Sequence, residues 1–193
     1  SETKRYLYGV HPNVITSAEF ERILSASGPY GGTVLRPSDG KRPRRIGFIQ
    51  CVGSRNVNID KELCSAVCCM YATKQAIVAK EHDPDLEIFI FFIDLRAYGK
   101  GFEEFTQRAM SQYGVKYIRC EVPEVLVNET TQDLTVNFED PVGNQMKSMD
   151  FDLIVLSVGL IPPSGLSSLH GIMDLELNEF GYVDTRLANP VQT

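Results

Sequence analysis

Arg45–Cys51 reads RIGFIQC, Lys61–Glu81 reads KELCSAVCCMYATKQAIVAKE, and Leu86–Leu95 reads LEIFIFFIDL. The first and third stretches are short, apolar and rich in isoleucine and phenylalanine, as strands buried on both faces of a sheet are. The middle stretch carries alanine at 66, 72, 76 and 79 with Met70 and Ile77, a helical pattern suited to close packing against a sheet. Asp83-Pro84-Asp85 ends that helix, because proline disfavours helical geometry in the residue before it. Strand, helix and strand in this order predict a parallel βαβ unit.

The pattern continues outward. Residues 100–113 predict an amphipathic helix with Phe102, Phe105, Ala109 and Met110 at helical spacing, and Val115–Arg119 predicts a strand. Glu124–Asn128 and Leu134–Glu139 look antiparallel, and Phe151–Val158 (FDLIVLSV) predicts a final buried strand. The fold expected is α/β: a three-layer, Rossmann-like domain with a central parallel sheet and a small antiparallel β excursion. Residues 1–45 are interrupted by glycine and proline; one short helix stands out, capped by Thr16 or Ser17, with Phe20, Ile23 and Leu24 on its apolar side. The basic run Lys41, Arg42, Arg44 and Arg45 is expected to be a solvated approach to the first strand. The tail from Pro162 is turn-rich, with a short strand expected at Gly181–Val183. The arrest at Asn189-Pro190 suggests a piece of something larger.

Composition narrows the function. The chain has 193 residues, 43% hydrophobic and 23% charged, within the range of globular proteins rather than disordered ones. A net charge of −6 without a long Lys/Arg run argues against nucleic-acid binding, which needs a basic face to neutralise phosphates. No apolar run approaches the ~18 residues of a spanning helix, and no signal-type segment opens the chain. A cytoplasmic protein is expected.

Five cysteines are present, and four of them, Cys51, Cys64, Cys68 and Cys69, fall in the pattern C-x12-C-x3-C-C. In a reducing compartment such clustering points to metal or redox chemistry more readily than to disulfides. Cys51 ends the first strand. The other three are expected on the first turns of the next helix, with Cys64 and Cys68 on one face and Cys69 about 100° round. A strand end and a helix start meet at the same sheet edge, so the four sulfurs could surround one small volume. Four thiolates need an offsetting charge, which a cluster of iron ions supplies and helix N–H groups assist. Zinc also takes four thiolates. Adjacent Cys68 and Cys69 diverge too far to clasp one ion comfortably but can reach separate corners of a larger cube. Burial as small apolar residues is the alternative for each cysteine, and is the expectation for Cys120.

A dinucleotide-binding domain would place G-x-G-x-x-G after the first strand. Here Gln50-Cys51-Val52-Gly53-Ser54-Arg55 keeps one glycine, so backbone approach to a pyrophosphate loses its support. Asp94, where an acidic ribose ligand would stand, is expected instead to brace the loop Arg96–Gly101. The frame is Rossmann-like, with a metal site in place of the nucleotide site.

Gly47-Phe-Ile-Gln-Cys-Val-Gly-Ser-Arg55, Cys64-x3-Cys-Cys-Met-Tyr-Ala72, Asp94-Leu-Arg-Ala-Tyr-Gly-Lys-Gly101 and Leu156-Ser-Val-Gly-Leu-Ile-Pro162 closely resemble the A-subunit family of heterodisulfide reductase, iron–sulfur flavoproteins of methanogens and sulfate reducers. Pro12-Asn-Val-Ile-Thr-Ser17, Glu19-Phe-Glu-Arg22 and Arg36-Pro-Ser-Asp-Gly40 fit the same family. The resemblance implies a thioredoxin-reductase-like oxidoreductase that binds FAD and several 4Fe–4S clusters and moves electrons between partner subunits. It implies that Cys51, Cys64, Cys68 and Cys69 ligate one cluster, and that Glu21 and Lys74 lie near the flavin ring. It also implies an internal fragment: 1–45 as a border of the flavin domain, 46–161 as the Rossmann-like domain with the cysteines, and 162–193 as a return toward the flavin domain. Such a piece is expected to be inactive alone. The glycine-rich segment for the ADP half of FAD and the C-x2-C-x2-C runs of ferredoxin type are not in this sequence. The alternative function is a structural zinc or other metal-binding or interaction domain without redox turnover.

Overall fold

The structure is a computed structural model and describes residues 2–140, 143 and 145–185. It divides into two compact units, Ser1–Gly159 and Leu160–Thr193.

The first unit is built on a five-stranded, all-parallel sheet. Its strands are β1 (Val14–Thr16), β2 (Arg45–Val52), β3 (Glu87–Phe92), β4 (Lys116–Arg119) and β8 (Leu153–Val158), in the order β1-β8-β2-β3-β4. Three helices, α1 (Ser17–Leu24), α2 (Cys68–His82) and α3 (Phe102–Ser111), connect and cover it. A second sheet of β5 (Val125–Val127), β6 (Leu134–Asp140) and β7 (Gln145–Phe151) is antiparallel.

Alternation along the buried strands sorts side chains into two cores. On one face Ile46, Phe48, Ile88, Ile90, Leu153 and Val155 pack with Phe20 of α1 and Ala72, Ala76 and Ala79 of α2. On the other, Ile49, Phe89, Phe91, Ile154 and Leu156 meet Leu134, Val136 and Phe138 of β6. The layers are therefore helices, parallel sheet and antiparallel sheet. The small alanines let α2 lie close to the sheet, and Phe20 and Phe48 meet edge to face at 5.5 Å, a contact worth about 1 kcal/mol beyond its buried area. At the N-terminal edge the Asp152 carboxylate accepts from the Arg44 and Arg45 N–H groups at 3.0 and 2.8 Å, tying the start of β2 to β8.

Three differences from the sequence expectations matter. Val14–Thr16, inside the loop-rich first segment, is a strand paired in parallel with β8. A third antiparallel strand, β7, went unread because most of its side chains are exposed and show no apolar alternation. The long helix expected from Lys61 begins only at Cys68. Before it, Asn56 and Lys61 form an antiparallel bridge, Arg55 N–H donates to the Leu63 carbonyl, and Asp60 and Ala66 hold left-handed backbone. These bonds keep 55–66 out of α-helical geometry, with only a short 3-10 turn at Val57–Ile59.

In the second unit Leu166–Met173 is a helix, α4, and Leu177 bridges Val183 where a short strand was expected. The Asn178 side chain accepts from Phe180 and Tyr182 N–H groups and closes the intervening turn. Residues 186–193, including Asn189-Pro190, lie outside the described residues. Among the described residues no helix is long and apolar enough to cross a membrane.

Candidate metal centre

The site begins with an irregularity in β2. Pairing with β8 runs in register to Ile49–Leu156, shifts, and resumes at Val52–Val158. Within the shift sits Cys51, at φ +62°. A left-handed backbone costs a residue with a Cβ roughly 1–2 kcal/mol, and bulges of this kind re-aim side chains next to functional sites. Cys51 is not isolated in this: four of the seven non-glycine residues with positive φ among the described residues, Cys51, Arg55, Asp60 and Ala66, lie from the end of β2 to the start of α2. Residues held in such backbone conformations cluster at functional sites, which makes this connection the candidate.

The other thiols follow. Cys64 lies in the loop, not on the helix as its spacing had suggested, and its sulfur accepts the Ala66 N–H at 3.3 Å. Cys68 and Cys69 open α2 and are buried. Cys68 donates to the Val158 carbonyl at 3.7 Å, and Cys69 to the Asp94 carbonyl at 3.6 Å while accepting from Arg96 N–H at 3.4 Å. Val67, the cap of α2, makes no side-chain cap bond; its carbonyl accepts the Met70 and Tyr71 N–H groups at 3.1 Å, next to the two thiols.

Burial first, then neighbouring thiols, raise the proton affinity of three of the four: Cys51 is pushed up to about 11, with Cys68 and Cys69 contributing. Burial likewise raises Cys68, which feels Cys69 and Cys64, and Cys69, which feels Cys64. Binding a metal must therefore expel protons that this pocket holds. Among the described residues, no three His, Cys, Asp or Glu side chains converge closely enough to hold a single metal ion. The candidate donors are thus Cys51 near a strand end, Cys64 in a loop, and Cys68 and Cys69 at a helix start.

Arg55 stands beside them. Its Nη2 donates to Asp94 Oδ2 at 2.7 Å, its guanidinium lowers the proton affinity of Cys51, and its Nη1 is buried without a hydrogen-bond partner. Asp94 also pairs with Arg119 at 3.2 Å. Its side chain therefore clamps two arginines, and is not seen bracing the loop 96–101 as expected. Arg55 could have been singled out from sequence only by its place four residues after Cys51.

Glu21 of α1 and Lys74 of α2 form an ion pair, and Gln75 Nε2 donates to the second Glu21 oxygen at 3.0 Å. Desolvation opposes ionisation of Glu21, yet the bonds from Lys74 and Gln75 hold its carboxyl below the usual range. The pair is half exposed. Cys120 follows β4, partly buried and pushed up to about 11 by burial alone; it lines a small cavity with Cys51, but no other thiol contributes to its shift.

No family model matches the chain. The A subunit of the H(2):CoB-CoM heterodisulfide,ferredoxin reductase of Methanothermobacter marburgensis is 46% identical over 183 residues, which are 95% of this chain and 28% of that protein. The iron-sulfur A subunit of the CoB–CoM heterodisulfide reductase of Methanocaldococcus jannaschii is 44% identical over 179 residues, 93% of this chain and 27% of that one. The A subunit of the Ferredoxin/F(420)H(2)-dependent CoB-CoM heterodisulfide reductase of Methanosarcina acetivorans is 40% identical over 175 residues, 91% and 22% respectively. The resemblance carried by the motifs is thus shown along nearly the whole chain, which spans about a quarter of the length of the curated relatives it matches. Among solved structures, the thioredoxin reductase of T. acidophilum aligns with TM-score 0.51 at 14% identity, covering 91% of this chain and 44% of that one. That of Lactococcus lactis gives 0.52 at 17%, covering 93% and 46%. At such identities the likeness concerns the fold alone: a thioredoxin-reductase-like α/β frame.

Proposed function

We propose that this chain is an electron-transfer portion of an iron–sulfur flavoprotein of the heterodisulfide reductase A-subunit kind, an oxidoreductase working among other subunits of an electron-transfer complex. In this reading Cys51, Cys64, Cys68 and Cys69 hold one 4Fe–4S cluster, and FAD belongs to the full-length protein. The observation that carries it is geometric: Cys51 sits in the left-handed register shift near the end of β2, and Cys68 and Cys69 lie buried at the uncapped start of α2, close enough to bear on its charge.

When bound, the cluster supplies reversible uptake of single electrons. The chain's own residues supply the rest. The bulge at Cys51 fixes one ligand, and α2 fixes two more on a rigid element packed against the sheet. Helix N–H groups and Arg55 offset thiolate charge. Glu21 and Lys74 are proposed to face the flavin, where a lysine can hydrogen-bond the ring and favour its reduced, negatively charged form while the carboxylate limits that effect.

Anaerobic loading of the purified chain with iron and sulfide should give a broad visible absorption that bleaches with dithionite. A colourless protein holding stoichiometric zinc, with no reducible centre, would overturn the proposal.

A further inference from the structure

We infer that Arg55 is the group that sets the reduction potential of the cysteine-held centre, with Asp94 as the brace that positions it and moderates its charge. This rests on the cluster proposed above.

Arg55 is buried enough for its charge to matter, its side chain being 20% exposed. Cys51 and Arg55 line the same enclosed cavity of about 30 Å³, with Gln50 and Cys120 on its walls. The guanidinium is fixed at one end, by Nη2 on Asp94, whose own backbone carbonyl accepts the Cys69 thiol. One short stretch of chain thus ties Arg55 and a cysteine of the set together. The Arg55 Nη1 is buried without a hydrogen-bond partner, and the guanidinium as a whole lies near enough to Cys51 to favour its thiolate. In a protein interior such an unused charged donor is costly, and an anionic thiolate cluster is the acceptor its position suits. The left-handed backbone at Arg55 places the residue there at a conformational cost.

The electrostatics fix a direction. One electron entering a thiolate-held cluster adds a negative charge, and no bond in the protein forms or breaks. A cation close to Cys51 and Cys69 favours the more negative state, so it raises the potential. Asp94, an anion sharing that cation, opposes it. Arg119, on the far side of Asp94 and 69% exposed at its side chain, is screened by solvent and matters less.

The test is a mediated dithionite titration of the anaerobically loaded chain, followed by visible absorption and by electron paramagnetic resonance, with thermal unfolding in parallel. Arg55→Gln should lower the reduced-to-oxidised ratio at a fixed potential about tenfold, which is about 59 mV for a one-electron couple. Arg55→Lys, keeping the charge, should recover most of that loss. Asp94→Asn should move the ratio upward. If Arg55→Gln does not fold or retain its cluster, the Asp94→Asn and Arg55→Lys titrations decide alone. An unchanged ratio in Arg55→Gln or, where that variant does not load, in Asp94→Asn, even with lower unfolding temperatures, would reduce Arg55 to a structural brace and overturn the inference. Failure of the unsubstituted chain to acquire any reducible centre would instead overturn the cluster on which it depends.

Discussion

In the reading proposed above cysteine serves two purposes, and its neighbours separate them. Cys51, Cys68 and Cys69 each feel another thiol, whereas burial alone acts on Cys120, as on a small, partly buried packing residue. Cys120→Ala should therefore leave cluster content intact. Its effect belongs to pH. An unfolded thiol titrates near 8.5, while burial lifts Cys120 to about 11. The folded state keeps a proton that the unfolded state has released, so this contribution is complete below about pH 8.5 and is lost as pH rises toward about 11. Thermal unfolding of the metal-free chain should fall more steeply over that window than unfolding of Cys120→Ala; parallel curves would contradict this. Glu21 and Lys74 make a second residue-level prediction. In the full-length flavin-loaded protein, Lys74→Met should lower the flavin potential without altering iron content. A spectroelectrochemical titration reads the first, and iron analysis the second.

At the level of elements, the β2–α2 connection decides the site, and two substitutions probe its supports. Gly159, at the end of β8, donates its N–H to the Val52 carbonyl at 2.9 Å, and a Cβ there would come within 2.9 Å of Ser54 Cβ and 2.8 Å of Ser65 Oγ. Gly159→Val should destabilise the fold by about 1–3 kcal/mol, read by chemical denaturation, and should reduce the iron retained. Farther off, Thr16 caps α1, its hydroxyl accepting the Glu19 N–H at 3.3 Å while Glu19 returns a bond to the Thr16 N–H at 2.7 Å. Thr16→Ala should cost about 1 kcal/mol with no change in iron content. Both the cap and the apolar side of α1 were legible in sequence, because capping chemistry is local. The start of α2 was not: Cys64, Ala66 and Val67 fit helical spacing, and only bonds closed across the loop, Asn56 to Lys61 and Arg55 to Leu63, exclude the helix. β7 escaped for the opposite reason, since an edge strand with solvated faces carries no periodic signal.

For the whole molecule, the parallel sheet was readable because its strands are buried on both faces and so are apolar throughout. The same buried sheet explains why a glycine-poor β2–α2 turn is tolerated: the frame does not depend on a nucleotide being there. The arginine–aspartate clamp was not legible in the sequence, because Arg55 and Asp94 meet only through the packing of β2 against β3. The claim on which the functional reading turns is that four cysteines, and not the fifth, hold one cluster. Iron and acid-labile sulfide should be counted on the anaerobically loaded chain and on each single Cys→Ser variant. About four of each per chain are expected in the unsubstituted protein and in Cys120→Ser, with clear loss at positions 51, 64, 68 and 69. Full iron and sulfide retained in any of those four, or none bound by the unsubstituted chain, would contradict it.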